Sequence, residues 1–225
     1  STLEIVENLG RAGLNTPNCK LLLEKPFGID LPSAREMITH VAGFFDEAQI
    51  YRIDHYLAKE MAQNIVIFRA SNAIFNSIWD NQFIERIEVI ASEEIGIEGR
   101  AHFYEQTGAL RDFLQGHLMQ LVSLILLHVP DDLDWNKLPA ARLEALKHIQ
   151  PANPEHTIRA QYAGYRQEAA NHDSQVETFV ATTLASDDPT WEGVPIQLVT
   201  GKALAFKSTE VRVHFRRANV KQSNC

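Results

Sequence analysis

Residues 51–60 read Tyr51-Arg52-Ile53-Asp54-His55-Tyr56-Leu57-Ala58-Lys59-Glu60 and join two segments that carry helical patterns. This short stretch contains two cations, two acids, a histidine and two tyrosines. Burial of such groups without hydrogen-bond partners would cost roughly several kcal/mol each. The stretch therefore either forms a structural network of its own or lines a pocket that receives a polar ligand, and its density of donors and acceptors favours the pocket.

Composition places the chain among ordinary globular proteins, with 225 residues, 45% hydrophobic and 22% charged. The formal net charge of -8 argues against broad nucleic-acid binding, although a local cluster of cations would still hold a small anion. No apolar run reaches the roughly 18 residues of a membrane helix and no signal peptide is visible, so we expect no membrane partner. Cys19 and Cys225 lie far apart, which predicts free thiols in a reducing compartment and a cytoplasmic protein.

The first part of the chain has the pattern of an α/β unit. Apolar spacing predicts a helix over residues 2–14, and the apolar run at 19–24 predicts a buried strand. Asp30 is the expected N-cap of a second helix that runs to about residue 47. Because only one strand-helix unit is present, we expect the chain to begin near the end of an upstream domain. Lys25 follows the strand, where open α/β sheets bind ligands, although a solvated loop lysine is the alternative.

The second part of the chain changes from helical to strand patterns. Helices are predicted over residues 59–72, 107–128 and 139–149. Strands are predicted over residues 83–91, 158–165, 176–184, 196–205 and 210–215. Runs of helices followed by runs of strands predict an α+β fold, with helices packed on a largely antiparallel sheet.

His117 is the first candidate for chemistry. It lies within the apolar stripe of helix 107–128, where a histidine is more often a core residue than a catalyst. A carboxylate such as Asp54, if it reaches His117, would fix the imidazole tautomer and raise its basicity, so that the ring could accept a substrate proton. The preceding Gly116 costs about 1 kcal/mol relative to alanine within a helix, and it would permit another backbone to come close.

His55, Tyr56 and Lys59 form a second candidate group. Imidazole, phenol and ammonium donors at the start of a helix suit a phosphate. If the segment turns into a helix at Leu57, His55 and Lys59 are four positions apart and share a face. The alternative for Lys59 is a surface ion pair. A metal site built from Asp54, His55 and Glu60 is disfavoured, because their spacing matches no metal-binding signature.

Four further residues are weaker candidates. Glu93 and Asp112 are possible acceptors for ligand hydroxyl groups, but acids at strand ends and helix starts are usually solvated or cap the helix. Lys202 and Lys207 lie late in the predicted sheet, where most lysines face solvent. Gly201 beside Lys202 suggests a bulge or the close approach of another backbone.

Together these segments resemble the glucose-6-phosphate dehydrogenase family. The resemblance covers nearly the whole chain in the family's order, and its most specific motif is Arg52 to Glu60. It also rests on Glu24-Lys25-Pro26-Phe27-Gly28, Asn72 to Trp79, Gly99-Arg100, Gly108-Ala109-Leu110-Arg111-Asp112-Phe113-Leu114-Gln115-Gly116-His117 and Gly201-Lys202-Ala203-Leu204.

The resemblance implies oxidation of glucose 6-phosphate at C1 to 6-phosphogluconolactone, with hydride transfer to NADP or, in some members, NAD. It implies that His117 is the general base and that Asp54 orients it. It implies substrate binding by Lys25, His55, Tyr56, Lys59, Glu93, Asp112, Lys202 and Lys207, with Lys25 also at the cofactor and no metal. Of these, His55, Tyr56 and Lys59 match the phosphate-binding residues.

The resemblance also implies domain limits and an assembly. Residues 1–51 match the last part of a doubly wound α/β coenzyme domain, and residues 52–225 match an α+β substrate domain without its C-terminal part. A homodimer or higher homo-oligomer is implied, because the family pairs through its large sheet. Gly116 stands where the family usually has asparagine, and Ala58 where it usually has glycine.

The family's glycine-rich cofactor turn is absent from these residues, so we expect this polypeptide alone to be inactive. The alternative is a sugar-phosphate-binding or dimerisation module without catalysis.

Overall fold

The structure, a computed structural model, describes residues 2–129 and 133–217. The chain divides into two compact units, Ser1–His55 and Tyr56–Cys225. No helix within the described ranges is long and apolar enough to cross a membrane. Cys19 is a free thiol, whereas the predicted free thiol of Cys225 lies outside the described residues.

The first unit is a short parallel α/β layer. Its elements are α1 (Thr2–Arg11), β1 (Leu21–Glu24), α2 (Leu31–Ala42) and β2 (Ile50–Ile53). The two strands pair in parallel, with Leu21 opposite Ile50 and Glu24 opposite Ile53. The core of the unit consists of Val6, Leu23, Met37, Val41 and Phe45. This arrangement confirms the predicted remnant of a doubly wound domain.

Helix α2 begins as predicted and ends earlier than predicted. The Asp30 carboxylate accepts the Ser33 N–H at 2.9 Å, and the Ser33 hydroxyl oxygen accepts the Asp30 N–H at 3.1 Å, which completes a capping box. The predicted end near residue 47 is wrong, because Gly43 terminates the helix and the chain turns so that Phe45 enters the core.

The second unit is an α+β layer whose elements follow in chain order. They are α3 (Glu60–Ser71), α4 (Ala73–Ser77), β3 (Ile84–Ser92), α5 (Ala101–Ala109), α6 (Met119–Leu126), α7 (Leu138–Lys147), β4 (Thr157–Ala160), α8 (Tyr165–Glu168), β5 (Phe179–Leu184), β6 (Ile196–Gly201) and β7 (Ser208–Phe215). A π-helical segment, Leu110–Leu118, connects α5 to α6.

The strands described in this unit form a sheet in the order β4-β5-β6-β3-β7. Strands β3 and β6 are parallel, and the other neighbouring pairs are antiparallel. The α+β prediction with a largely antiparallel sheet is therefore confirmed. The parallel pair brings the carboxyl ends of β3 and β6 together, with Ser92 opposite Gly201.

The core of the second unit lies between the sheet and the helices. Strand β3 alternates buried Ile87, Val89 and Ala91 with more exposed residues, as expected of a strand that is covered on one face. The π-helical segment and α6 supply fully buried Leu118 and Ile125 to the same core.

Arg69 anchors the end of α6. It is 4% exposed and donates hydrogen bonds to the carbonyls of Leu124, Ile125 and Leu127. These carbonyls lie at the helix C-terminus, where a cation is favourable. Burial lowers the pKa of the Arg69 guanidinium to about 10.

The predicted continuous helix over residues 107–128 is wrong. Gly108 adopts φ 61° and ψ 179°, which separates α5 from the π-helical segment. Leu110 is 36% exposed, since it stands at the start of the π-helical segment. Phe113 and Leu114 are buried.

Two predicted strand limits are also wrong. The strand expected over residues 158–165 ends at Ala160, because Gly164 takes a left-handed conformation with φ 90° and α8 begins at Tyr165. The strand expected over residues 196–205 ends at Gly201, directly before the buried Lys202.

Candidate functional site

Lys25 and Asp54 lie at the carboxyl edge of the β1–β2 pair. Each residue directly follows the last paired residue of its strand, Glu24 and Ile53 respectively. Both side chains are half-buried. This is the edge at which open α/β sheets bind ligands. The first unit therefore presents one cation and one carboxylate at adjacent positions.

Tyr56 and Lys59 lie in the turn that precedes α3. The Lys59 ammonium lies 3.6 Å from the centroid of the Tyr56 ring, which is a cation–π contact. The expectation that His55 and Lys59 share a helical face is wrong, because α3 begins only at Glu60 and Lys59 has an extended conformation. The exposed His55 is the last residue of the first unit.

His117 is held among aromatic rings on the π-helical segment. Its ring centroid lies 4.6 Å from that of Tyr56 and 5.3 Å from that of Phe113. Tyr56 and Phe113 also contact each other edge to face, at 5.3 Å. The imidazole is half-buried rather than sealed in the core. These contacts limit the orientations of the ring, as a proton-transfer group requires.

Glu93 and Lys202 form an ion pair at the carboxyl edge of β3 and β6. The Lys202 ammonium lies 2.6 Å from the Glu93 carboxylate, and the two side chains are 5% and 22% exposed. Lys202 does not face solvent as most lysines in sheets do, since the parallel pairing of β3 with β6 places Glu93 beside it. The Glu93 N–H also donates to the Gly201 carbonyl at 3.0 Å. Lys207 lies exposed in the loop before β7.

Tyr104 is a member of this site that the sequence did not single out. It is 2% exposed, and the Lys202 ammonium lies 5.7 Å from its ring centroid. Burial raises the pKa of the Tyr104 phenol, and the charges of Asp112, Glu177 and Glu93 raise it further. The phenol therefore stays neutral under the influence of Glu93 and Asp112, the two predicted hydroxyl-binding acids.

Glu177 was also missed by the sequence analysis. It stands in the segment before β5, and its carboxylate accepts the Leu110 N–H at 3.0 Å. Its contacts come from residues distant in the chain, so no spacing pattern could have marked it. The one local sign was Gly108, a helix breaker within a predicted helix.

The predicted site residues thus fall into three groups. Lys25, Asp54 and His55 belong to the first unit. Tyr56, Lys59 and His117 form one cluster in the second unit. Lys202 pairs with Glu93 and lies near Tyr104 in the same unit, and the charge of Asp112 acts on the Tyr104 phenol. No three His, Cys, Asp or Glu side chains in residues 2–129 and 133–217 are placed to hold a metal ion.

Two family models match the chain. The model of the C-terminal domain of glucose-6-phosphate dehydrogenase matches residues 66–224, and that of its NAD binding domain matches residues 2–64. The chain belongs to the glucose-6-phosphate dehydrogenase family. The predicted resemblance is confirmed, and the second match supports a nicotinamide cofactor for the family.

The curated relatives of this glucose-6-phosphate dehydrogenase family member include two bacterial glucose-6-phosphate 1-dehydrogenases. Glucose-6-phosphate 1-dehydrogenase from Helicobacter pylori strain J99 is 42% identical over 95% of this chain and 50% of its own length. That from Chlamydia muridarum is 38% identical over 96% of this chain and 46% of its own length. The chain thus spans about half the length of the curated relatives it matches.

Two solved glucose-6-phosphate dehydrogenase structures also match nearly the whole of this chain and about half of their own length. Glucose-6-phosphate 1-dehydrogenase from Mycobacterium avium matches with a TM-score of 0.90 and 37% identity, over 98% of this chain and 49% of that one. A glucose-6-phosphate dehydrogenase in complex with its substrate glucose-6-phosphate matches with a TM-score of 0.90 and 31% identity, over 97% of this chain and 47% of that one. A myo-inositol 2-dehydrogenase from Lactobacillus plantarum, 15% identical with a TM-score of 0.57, shares the fold alone.

Proposed function

We propose that the chain carries the sugar-phosphate site of an enzyme that oxidises glucose 6-phosphate at C1 to 6-phosphogluconolactone and reduces NADP. The observation that carries the proposal is the buried Lys202–Glu93 pair at the carboxyl edge of β3 and β6, in a member of this family. A cation and a carboxylate in one partly desolvated position suit a polyhydroxylated anion. The relative solved with glucose-6-phosphate supports the choice of substrate.

His117 is the proposed general base. It takes the proton of the C1 hydroxyl group while the C1–O bond becomes a carbonyl and the C1 hydrogen leaves as hydride. The nicotinamide, when bound, accepts that hydride. Asp54 is the proposed orienting carboxylate, and the packing of Tyr56 on the His117 ring supports a fixed orientation of the imidazole.

The remaining candidates divide between the two ends of the sugar phosphate. His55, Tyr56 and Lys59 are proposed to bind the phosphate, where three donors of different geometry can reach its oxygens. Glu93 and Asp112 are proposed to accept hydrogen bonds from sugar hydroxyl groups. Lys202, Lys207 and Lys25 are proposed as further substrate contacts.

Lys25 is the residue proposed to contact the cofactor as well as the substrate. Its place directly after β1 fits a nucleotide at the carboxyl edge of a parallel sheet. We propose NADP as the oxidant, with NAD as the alternative. The 225 residues contain no glycine-rich turn for the dinucleotide phosphates, so this polypeptide alone should not reduce NADP.

Calorimetry with the 225-residue polypeptide tests the sugar-phosphate site. Glucose 6-phosphate should bind, and glucose should bind much more weakly, because it lacks the phosphate. Lys59→Met should weaken glucose 6-phosphate binding by about tenfold or more, as expected for the loss of one charge-assisted contact. Lys147→Met is the matched control, since Lys147 is an exposed lysine paired with Glu144. Equal binding of glucose and glucose 6-phosphate would reject the proposal.

We further propose domain limits at residues 1–51 and 52–225, a cytoplasmic location and a homodimer or higher homo-oligomer. The division into two compact units at residues 55 and 56 supports a boundary in this region, whereas the two family models divide the chain at residues 64 and 66. Limited proteolysis should cleave first near residue 52, and sedimentation equilibrium should give at least twice the 25.4 kDa chain mass.

A further inference from the structure

The dipeptide Glu177-Thr178, just before β5, links the end of α5 to the buried Lys202 through its backbone carbonyls. The Glu177 carbonyl accepts the Ala109 N–H at 2.9 Å, and the Thr178 carbonyl accepts the Lys202 N–H at 2.9 Å. Successive carbonyls of one extended segment point in opposite directions. The dipeptide therefore lies between the start of the π-helical segment and the backbone of Lys202.

The Glu177 side chain adds a second bond to the same helical start. Its carboxylate accepts the Leu110 N–H at 3.0 Å, and Leu110 is the first residue of the π-helical segment. The first N–H groups of a helix lack partners within it, and a carboxylate there is favoured by the helix dipole. Glu177 thus caps the start of the segment that carries Asp112 and His117.

Gly108 leaves the space that this contact needs. A Cβ atom on Gly108 would lie 2.5 Å from the Glu177 carboxylate oxygen, which is closer than van der Waals contact allows. Gly108 also has φ 61°, a conformation that residues with side chains rarely adopt. The missing side chain at Gly108 therefore makes room for the Glu177 carboxylate. Both residues lie at the break between α5 and the π-helical segment.

We propose that Glu177 is a positioning residue for Asp112 and His117. Its carboxylate and carbonyl hold the start of the π-helical segment at a defined distance from Lys202. The proposed hydroxyl-binding acid Asp112, the proposed base His117 and the buried Lys202 therefore keep fixed positions relative to one another. The proposal rests on the proposed function for the roles of these residues. A helix cap with no influence on the site is the competing explanation.

Two variants and a matched control separate these explanations. Glu177→Ala removes the carboxylate, and Glu177→Gln keeps an oxygen acceptor without the charge. Glu168→Gln is the control, because Glu168 also accepts a backbone N–H, that of Glu98 at 2.9 Å, and has no place in the proposed site. All are measured in the 225-residue polypeptide by NMR and by calorimetry with glucose 6-phosphate.

Glu177→Ala should speed hydrogen exchange of the Leu110 N–H by about tenfold, the effect expected on losing a typical cap, and should shift the Asp112 carboxyl and His117 ring signals. Glucose 6-phosphate affinity should fall by about tenfold, while Glu177→Gln should stay within about threefold of the parent chain. Glu168→Gln should change neither the signals nor the affinity.

Unchanged Asp112 and His117 signals in Glu177→Ala would overturn the proposal, even if the Leu110 N–H exchanges faster. Shifted signals with unchanged affinity would overturn it as well. If the parent chain binds no glucose 6-phosphate, the proposed function fails for this polypeptide, and the NMR signals alone still decide whether Glu177 positions the two side chains.

Discussion

The imidazole of His117 packs on the phenol ring of Tyr56, with ring centroids 4.6 Å apart and planes inclined by 33°. The Lys59 ammonium lies 3.6 Å from the centroid of the same phenol ring. Tyr56 therefore contacts both the proposed base, His117, and Lys59, a residue proposed to bind the phosphate. A change at Tyr56 should affect proton transfer and phosphate binding together.

Replacement of His117 by asparagine should lower kcat by about a hundredfold or more, since a general base contributes about that factor. The assay follows NADPH absorbance in a polypeptide that joins these residues to a complete dinucleotide-binding domain. His156→Asn, at an exposed position, is the control and should keep the parent rate. A His117→Asn rate close to that of the parent would rule out the role of base.

Tyr56→Phe and Tyr56→Leu should have different effects. Phenylalanine keeps the ring against His117 and below the Lys59 ammonium, so it should lose only the hydroxyl and weaken glucose 6-phosphate binding by about three- to thirtyfold. Leucine removes the ring and should also shift the His117 ring signals in NMR spectra. Identical spectra for the two variants would show that the ring contact does not orient the imidazole.

Sequence reasoning succeeded where neighbouring residues determine the structure. Asp30 caps α2 as predicted, and its partner Ser33 lies only three positions away. Strand β3 shows its alternation within nine residues, so its existence could be predicted from the sequence. The specific motif at residues 52–60 likewise identified the family before any contact was known.

The predictions failed where a distant partner determines the structure. The helix break at Gly108 lies beside the carboxylate of Glu177, which reaches Leu110 from 67 positions away. The burial of Lys202 depends on Glu93, which lies 109 positions away. Only the pairing of β3 with β6 brings Glu93 and Lys202 together, and no local pattern in the sequence contains that pairing.

Lys202→Met should destabilise the second unit by about 2–3 kcal/mol, because it leaves the Glu93 carboxylate partly buried without its cation. The double variant Lys202→Met/Glu93→Leu should recover part of that loss, since both charges are then absent. Urea unfolding measures the free energy of unfolding of each chain.

The control for this experiment is the exposed pair Lys147–Glu144, whose side chains are 58% and 60% exposed. Lys147→Met should change the free energy of unfolding by about 0.5 kcal/mol or less. If Lys202→Met and Lys147→Met cost the same, the Lys202–Glu93 pair does not behave as a buried pair.

Glu105 should make the stability of the second unit sensitive to acid. Burial alone would raise the pKa of its carboxyl, but hydrogen bonds from Ser174, Tyr165 and Asn171 outweigh burial and hold that pKa below its usual value of 4.5. The three donors lie 2.6, 2.5 and 2.6 Å from the carboxylate oxygens.

Because the folded pKa of Glu105 lies below the unfolded one, its stabilisation is complete above about pH 4.5 and is lost as the pH falls through the folded value. Glu105→Gln should therefore lower the melting temperature at pH 7 and have a smaller effect at pH 3. The control Glu155→Gln, at an exposed position, should show no such difference between the two pH values. An equal loss at pH 7 and pH 3 in Glu105→Gln would mean that the hydrogen bonds, and not the charge they stabilise, account for the contribution of this residue.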